Sequence, residues 1–213
     1  SGPTDPIYDP VLKKMLTKPS HEKARAYGYS LASSVIETFH AGDFKQSPKP
    51  SITVHSAEIE LAIENFMLSL GTLLGVIDSD PKFSLTPPFI RYLSEVAFIQ
   101  LGDASITGVP GELYPEIAVG GIENPAGADY VIAPQEVPHL RSQFPGKLNL
   151  MVNLANDSIG YIIPKSEWDE DAPWIYGENE ETYGEVVSLG PNTALIIHEN
   201  LVKLVEESKN NSK

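Results

Sequence analysis

"EVAFIQLGDASITGVPGELYPE", residues 95–116, is the stretch from which the fold is read. Two short apolar runs, 96–101 and 104–109, meet at Gly102-Asp103, a pair suited to the tight turn of a β-hairpin. The second run stops at Pro110-Gly111, and Glu112 follows directly after the turn. That carboxylate has two readings. With Glu116 it belongs to a helix start, where the positive end of the helix dipole favours acids. Alternatively, the turn presents Glu112 into a site.

Outward from this hairpin, strand and helix patterns interleave. "SITVHSAEIELAI", from residue 51, alternates as a strand but changes phase, which predicts a bulge near His55 and Ser56. Residues 20–39 carry Ala24, Tyr27, Leu31, Val35 and Phe39 near one helical face, with Ser20 as N-cap and Gly42 as the stop. "DPVLKKML", residues 9–16, reads as a short opening helix, residues 65–77 as an apolar helical segment, and 78–88 as a loop. "LNLMVNLANDSIGYIIP", residues 148–164, reads as strand, polar elbow at 156–160, and second short strand. The last helix starts near Asn192, with Ala194, Ile197, Leu201, Leu204 and Val205 on one side. The predicted architecture is α/β: a mostly buried mixed sheet of strands 52–63, 95–101, 104–109 and 148–154, flanked by helices 20–39 and 192–207. Residues 1–213 read as a single domain or as a segment of a larger one, with flexible ends at 1–19 and 208–213.

Composition excludes several functions. The 213 residues carry 29 acidic and 15 basic side chains, a net charge of −14, which opposes phosphate binding and argues against a nucleic-acid partner. There is no cysteine, hence no disulfide, thiolate metal site or thiol nucleophile. No run of about 20 apolar residues exists to predict a transmembrane segment. Glycine-rich phosphate loops, HExxH and GxSxG are absent, and the five histidines follow no metal-ligand spacing. Residues 123–147 form a long Pro- and Gly-rich loop of the kind that lines sites. The acidic stretch 167–185 reads as a solvated loop, with a calcium site as the sharper reading. Trp168, Trp174, Tyr176 and Tyr183, interleaved with its acids, line a pocket or cap the edge of the core.

Three blocks occur in one order: "GDASITGVPGELYPE", "NLANDSIGYIIPKSEW" and "ETYGEVVSLGPNT". Together with "ARAYGYSLASSVIETF" and "SITVHSAEIELAIEN" they resemble the C-terminal half of the catalytic domain of the neutral/alkaline non-lysosomal ceramidases, over roughly residues 20–205. The resemblance implies a zinc-dependent amidase that cleaves the N-acyl bond of ceramide or another lipid amide. It implies Glu112 and Tyr161 as zinc ligands, with Gly111, Asn156 and Tyr183 at the substrate. The family's two zinc histidines and its Ser-containing motif lie further upstream and have no counterpart in these residues. A start at Ser1 is therefore read as that of an excised or processed chain, with the upstream half of the same protein as its partner and no amidase activity expected of this segment alone. The stretch between Glu112 and Tyr161 is longer than the family's, and the 123–147 loop is the expected wall of the substrate mouth. The resemblance also implies a secreted, periplasmic or membrane-surface location. The alternative function is a non-catalytic domain that keeps the fold and binds a lipid, glycan or protein.

Overall fold

The computed structural model describes residues 5–42, 51–77, 81–180 and 182–211. The chain divides into two units, Ser1–Pro48 and Lys49–Lys213.

In the first unit, β1 (Ile7–Asp9) and β2 (Lys14–Leu16) pair antiparallel and precede α1 (His21–Ala41). The expected opening helix at 9–16 is thus a hairpin. The Asp9 carboxylate accepts from the backbone of Val11 at 2.8 Å and Leu12 at 3.1 Å, and Lys13 has φ +51°. A side chain that takes up these amides competes directly with helical hydrogen bonding. Ser20 caps α1 as expected, accepting from Lys23 N at 3.1 Å. Leu31, Val35 and Phe39 along α1 are exposed.

The second unit contains β3 (Ile52–Ala62), α2 (Phe66–Leu73), β4 (Pro81–Phe83), β5 (Ile90–Leu101), β6 (Ala104–Gly108), β7 (Glu112–Leu113), α3 (Pro115–Val119), α4 (Leu140–Gln143), β8 (Leu148–Val152), β9 (Tyr161–Ile162), α5 (Tyr183–Val186) and α6 (Thr193–Asn211). It is a mixed α/β fold. The main sheet runs β3-β5-β6-β8 with β4 added against β5, and every pairing is antiparallel except β6 with β8. The Gly102-Asp103 hairpin joins β5 to β6, with Gly102 at φ +56°. Short β4 occupies part of the segment expected to be loop. At the chain ends, β1 and β2 lie within the stretch expected to be flexible, and α6 continues to Asn211. No helix among the described residues is long and apolar enough to cross a membrane.

One sheet face is core. Ile59, Leu61, Val96, Phe98 and Val109 are buried with Ala194, Ile197, Leu201 and Leu204 of α6. The other face is largely exposed among the described residues. Ile52, Val54, Leu101, Leu148, Leu150 and Val152 are exposed, and the row Val54–Ile99–Ile106–Leu150 crosses four strands in register. The expectation of a mostly buried sheet holds for one face only. The expected bulge at His55 and Ser56 is also absent, since pairing runs unbroken from Ile52↔Leu101 to Ala62↔Arg91. The phase change has another cause. The start of β3 is apolar towards the bare face and its end is apolar towards the core, so a regular strand changes phase without an inserted residue.

Candidate functional site

Beyond the main sheet, the parallel β6–β8 pair continues as β7–β9, interrupted by the elbow at 153–160. Val109 N donates to Val152 O at 2.9 Å, Glu112 N to Gly160 O at 2.9 Å, and Tyr114 N to Ile162 O at 3.1 Å. The elbow folds back on the PGE turn through Leu154 N to Gly111 O at 3.2 Å and Ile159 N to Pro110 O at 3.0 Å. Two glycines permit this crowding. Gly160 has φ +84°, and a Cβ there would run into the carbonyl of Val187. A Cβ on Gly111 would strike the carbonyl of Gly160. Gly111 thus acts through its lack of a side chain, letting the turn and the elbow pack together.

The result is a register pair, Glu112 opposite Tyr161. Their neighbours Leu113 and Ile162 are buried in the core, so strand alternation turns Glu112 and Tyr161 outward. Glu112 belongs to β7, not to α3, whose first-turn acid is Glu116. The helix-start reading of Glu112 therefore does not hold.

The charge of the nearby Glu112 carboxylate, and then partial burial, hold the Tyr161 phenol above its usual range. Tyr161 is flanked edge-on by Tyr114, with ring centroids 6.2 Å apart at 78°, and by Tyr183, at 6.1 Å and 79°. Burial, then the charges of Glu185, Tyr161, Glu167 and Glu116, push the Tyr114 phenol up to about 12. Tyr114 was not among the residues singled out in the sequence. Its signal is the spacing Glu112-x-Tyr114, which puts both side chains on one face of a strand.

Asn156 goes elsewhere. With φ +71°, it donates to Glu95 Oε1 at 3.3 Å in a groove shared with Glu58, Ser94 and Asp157. Asp157 in turn accepts from Tyr92 Oη and Ser94 Oγ, both at 2.9 Å. The elbow is thereby fastened to β5. On its other side, an apolar cleft of about 360 Å³ is lined by Ile63, Leu68, Ile77, Ile159 and Leu189 and reaches Gly160, next to Tyr161.

The acidic stretch is solvated only in part: Glu170, Asp171, Glu178 and Glu180 are exposed, whereas Glu167, Asp169 and Glu185 are buried as acceptors for backbone and hydroxyl donors. Glu167 takes Glu123 N at 2.6 Å, Asp169 takes Ile175 N at 3.2 Å, and Glu185 takes the Thr182 hydroxyl. Burial raises the pKa of all three. Tyr176 Oη donates to Glu123 at 2.9 Å, and Trp168 is buried, so this segment pins the start of the 123–147 loop. His198 Nε2 lies 2.9 Å from Pro138 O, and His139 Nδ1 lies 3.3 Å from Ser142 N at the start of α4. Among the described residues, no group of three or more His, Asp or Glu side chains is arranged to hold a metal ion. The carboxylate and phenol oxygens of Glu112 and Tyr161 suit two positions of a zinc site, since zinc accepts oxygen ligands and is usually four-coordinate. No family model and no curated protein matches this chain.

Proposed function

We propose that this chain supplies two of the ligands, Glu112 and Tyr161, of a zinc-dependent amidohydrolase site like that of neutral ceramidases, cleaving the N-acyl bond of a lipid-like amide. The supporting observation is that two residues distant in the sequence are register partners on the outward side of paired strand ends. When bound, zinc supplies Lewis-acid polarisation of an amide carbonyl. The chain's own residues orient and enclose. The β7–β9 pairing sets the backbones of Glu112 and Tyr161 side by side, Tyr183 offers an exposed aromatic edge to substrate, and the apolar cleft beside Gly160 suits an aliphatic chain. The remaining ligands, the imidazoles the ceramidase resemblance calls for, come in this reading from an upstream segment. The reading carries with it a secreted, periplasmic or membrane-surface location.

Two oxygens hold zinc weakly. A phenol with an ordinary pKa of about 10 is protonated at neutral pH, and Glu112 makes the Tyr161 phenol harder still to ionise. Zinc titrated calorimetrically into this chain is expected to bind weakly. A form extended upstream to include the histidines is expected to bind one zinc tightly, to hydrolyse N-acyl amides, and to lose both properties in Glu112→Ala. Tight one-to-one binding by the 213-residue chain, abolished by replacing one of its own histidines, would overturn this reading.

A further inference from the structure

We infer that the exposed face of the main sheet is a docking surface for an amphipathic helix with a basic end. The helix lays its apolar side over the row Val54–Ile99–Ile106–Leu150, and its lysine or arginine reaches the Glu58–Glu95 pair. Strand alternation puts Glu58 on the same face as Val54, and Glu95 on the same face as Ile99. The two acids are register partners on neighbouring strands, and both are exposed. Like charges directly opposite one another on a sheet repel. Among the described residues neither of the two forms an ion pair, and Glu95 accepts from the neutral amide of Asn156 at 3.3 Å. Glu60, two residues further along the same face, is by contrast paired with Lys82 and Arg91. The apolar row thus ends at two uncompensated carboxylates, which border a groove of about 290 Å³.

Size and charge select the occupant. Sheets with parallel pairs such as β6–β8 are normally covered on both faces, and α6 covers one. Strands lie about 4.8 Å apart, so the four in register make a face about 15 Å wide, and Ile52 to Glu58 spans about 20 Å along β3. A helix about 10 Å across, rising about 1.5 Å per residue, covers that length with about 13 residues. Its apolar stripe meets the apolar row, and its end comes to the acids. A second copy of this chain would bring a further net charge of −14 to the surface, and an anionic membrane is repelled by the same acids. A basic end relieves the repulsion between Glu58 and Glu95 instead.

The docking surface does not depend on the zinc reading and is tested without metal. The probe is a labelled synthetic helix of about 14 residues, with leucine at helical spacing along one side and lysine at both ends. Its binding to the chain is followed by fluorescence anisotropy, and a version with glutamate ends is expected to bind about tenfold more weakly. Leu150→Asn is expected to weaken the lysine-ended helix about tenfold. If Leu150→Asn does not fold, Val54→Asn, on β3, decides in the same way. The double variant Glu58→Gln/Glu95→Gln is expected to lose most of the preference for lysine ends. Glu206→Gln/Glu207→Gln, exposed on α6 at the opposite side of the sheet, is expected to keep it. Failure of the lysine-ended helix to bind overturns the assignment, as does binding that survives both Leu150→Asn and Val54→Asn. Equal loss of preference in the two double variants does the same, since it reduces the effect to net charge. Sedimentation showing dimers that Leu150→Asn dissociates would give the face to a second copy. Binding to phosphatidylcholine vesicles, lost in Leu150→Asn, would give it to a lipid surface. Either result overturns the helix.

Discussion

Gly160 is the residue on which the geometry of the pair turns. Its positive φ is open to glycine at little cost, and the Val187 carbonyl occupies the place of a β-carbon. Gly160→Ala combines backbone strain with a clash against backbone, and is expected to destabilise the fold by about 2 kcal/mol or more, read from urea denaturation. Glu112 is its electrostatic counterpart. A carboxylate beside a phenol disfavours the phenolate, so Glu112→Gln is expected to lower the pKa of Tyr161 towards the ordinary value of about 10. Ultraviolet difference titration against Tyr161→Phe measures this, and an unchanged curve would mean that the two side chains do not interact in solution.

At the scale of elements, β3 shows how one regular strand serves two environments. Leu61 is fully buried between the sheet and α6, whereas Ile52, on the bare face, is 68% exposed. Leu61→Ala is expected to cost about 2–5 kcal/mol, because it removes buried methyl groups and leaves a cavity. Ile52→Ala is expected to stay within about 0.5 kcal/mol in this chain, as for other surface positions. Thermal or urea melts of the two variants side by side test whether the second face is bare in solution. A large loss from Ile52→Ala would show that something covers it. The elbow between β8 and β9 is the other informative element. Asp157, bonded to Tyr92 and Ser94, fastens it to β5, so the position of Tyr161 depends on a contact with a strand far earlier in the chain.

For the whole molecule, the buried acids determine how stability responds to pH. Burial raises the pKa of Glu167, Asp169 and Glu185, so below neutrality the folded chain keeps protons that the unfolded chain has released. Stability then falls as pH rises through the raised values, and acidification from neutrality towards the ordinary carboxylate range of about 4 is expected to raise the melting temperature. Relief of the −14 net charge acts in the same direction. A melting temperature that falls steadily from neutral pH downward would show that these carboxylates are better stabilised as anions than their burial implies. The residues of this acidic stretch were legible in the sequence, but their burial was not, because a count of charges does not show which backbone amides will fold around them. By itself the sequence determined the α/β class, the Gly102-Asp103 hairpin, the elbow and the apolar side of α6, since each follows from local periodicity and turn chemistry. It also singled out Glu112 and Tyr161, through a resemblance in motif order. Only the tertiary structure decided that the two residues are register partners, that the Tyr114 ring stands beside Tyr161, that residues 9–16 turn as a hairpin, and that one sheet face is exposed. Each of these depends on contacts between segments remote in the chain, or on a side chain claiming backbone amides, and hydrophobic periodicity carries no record of either.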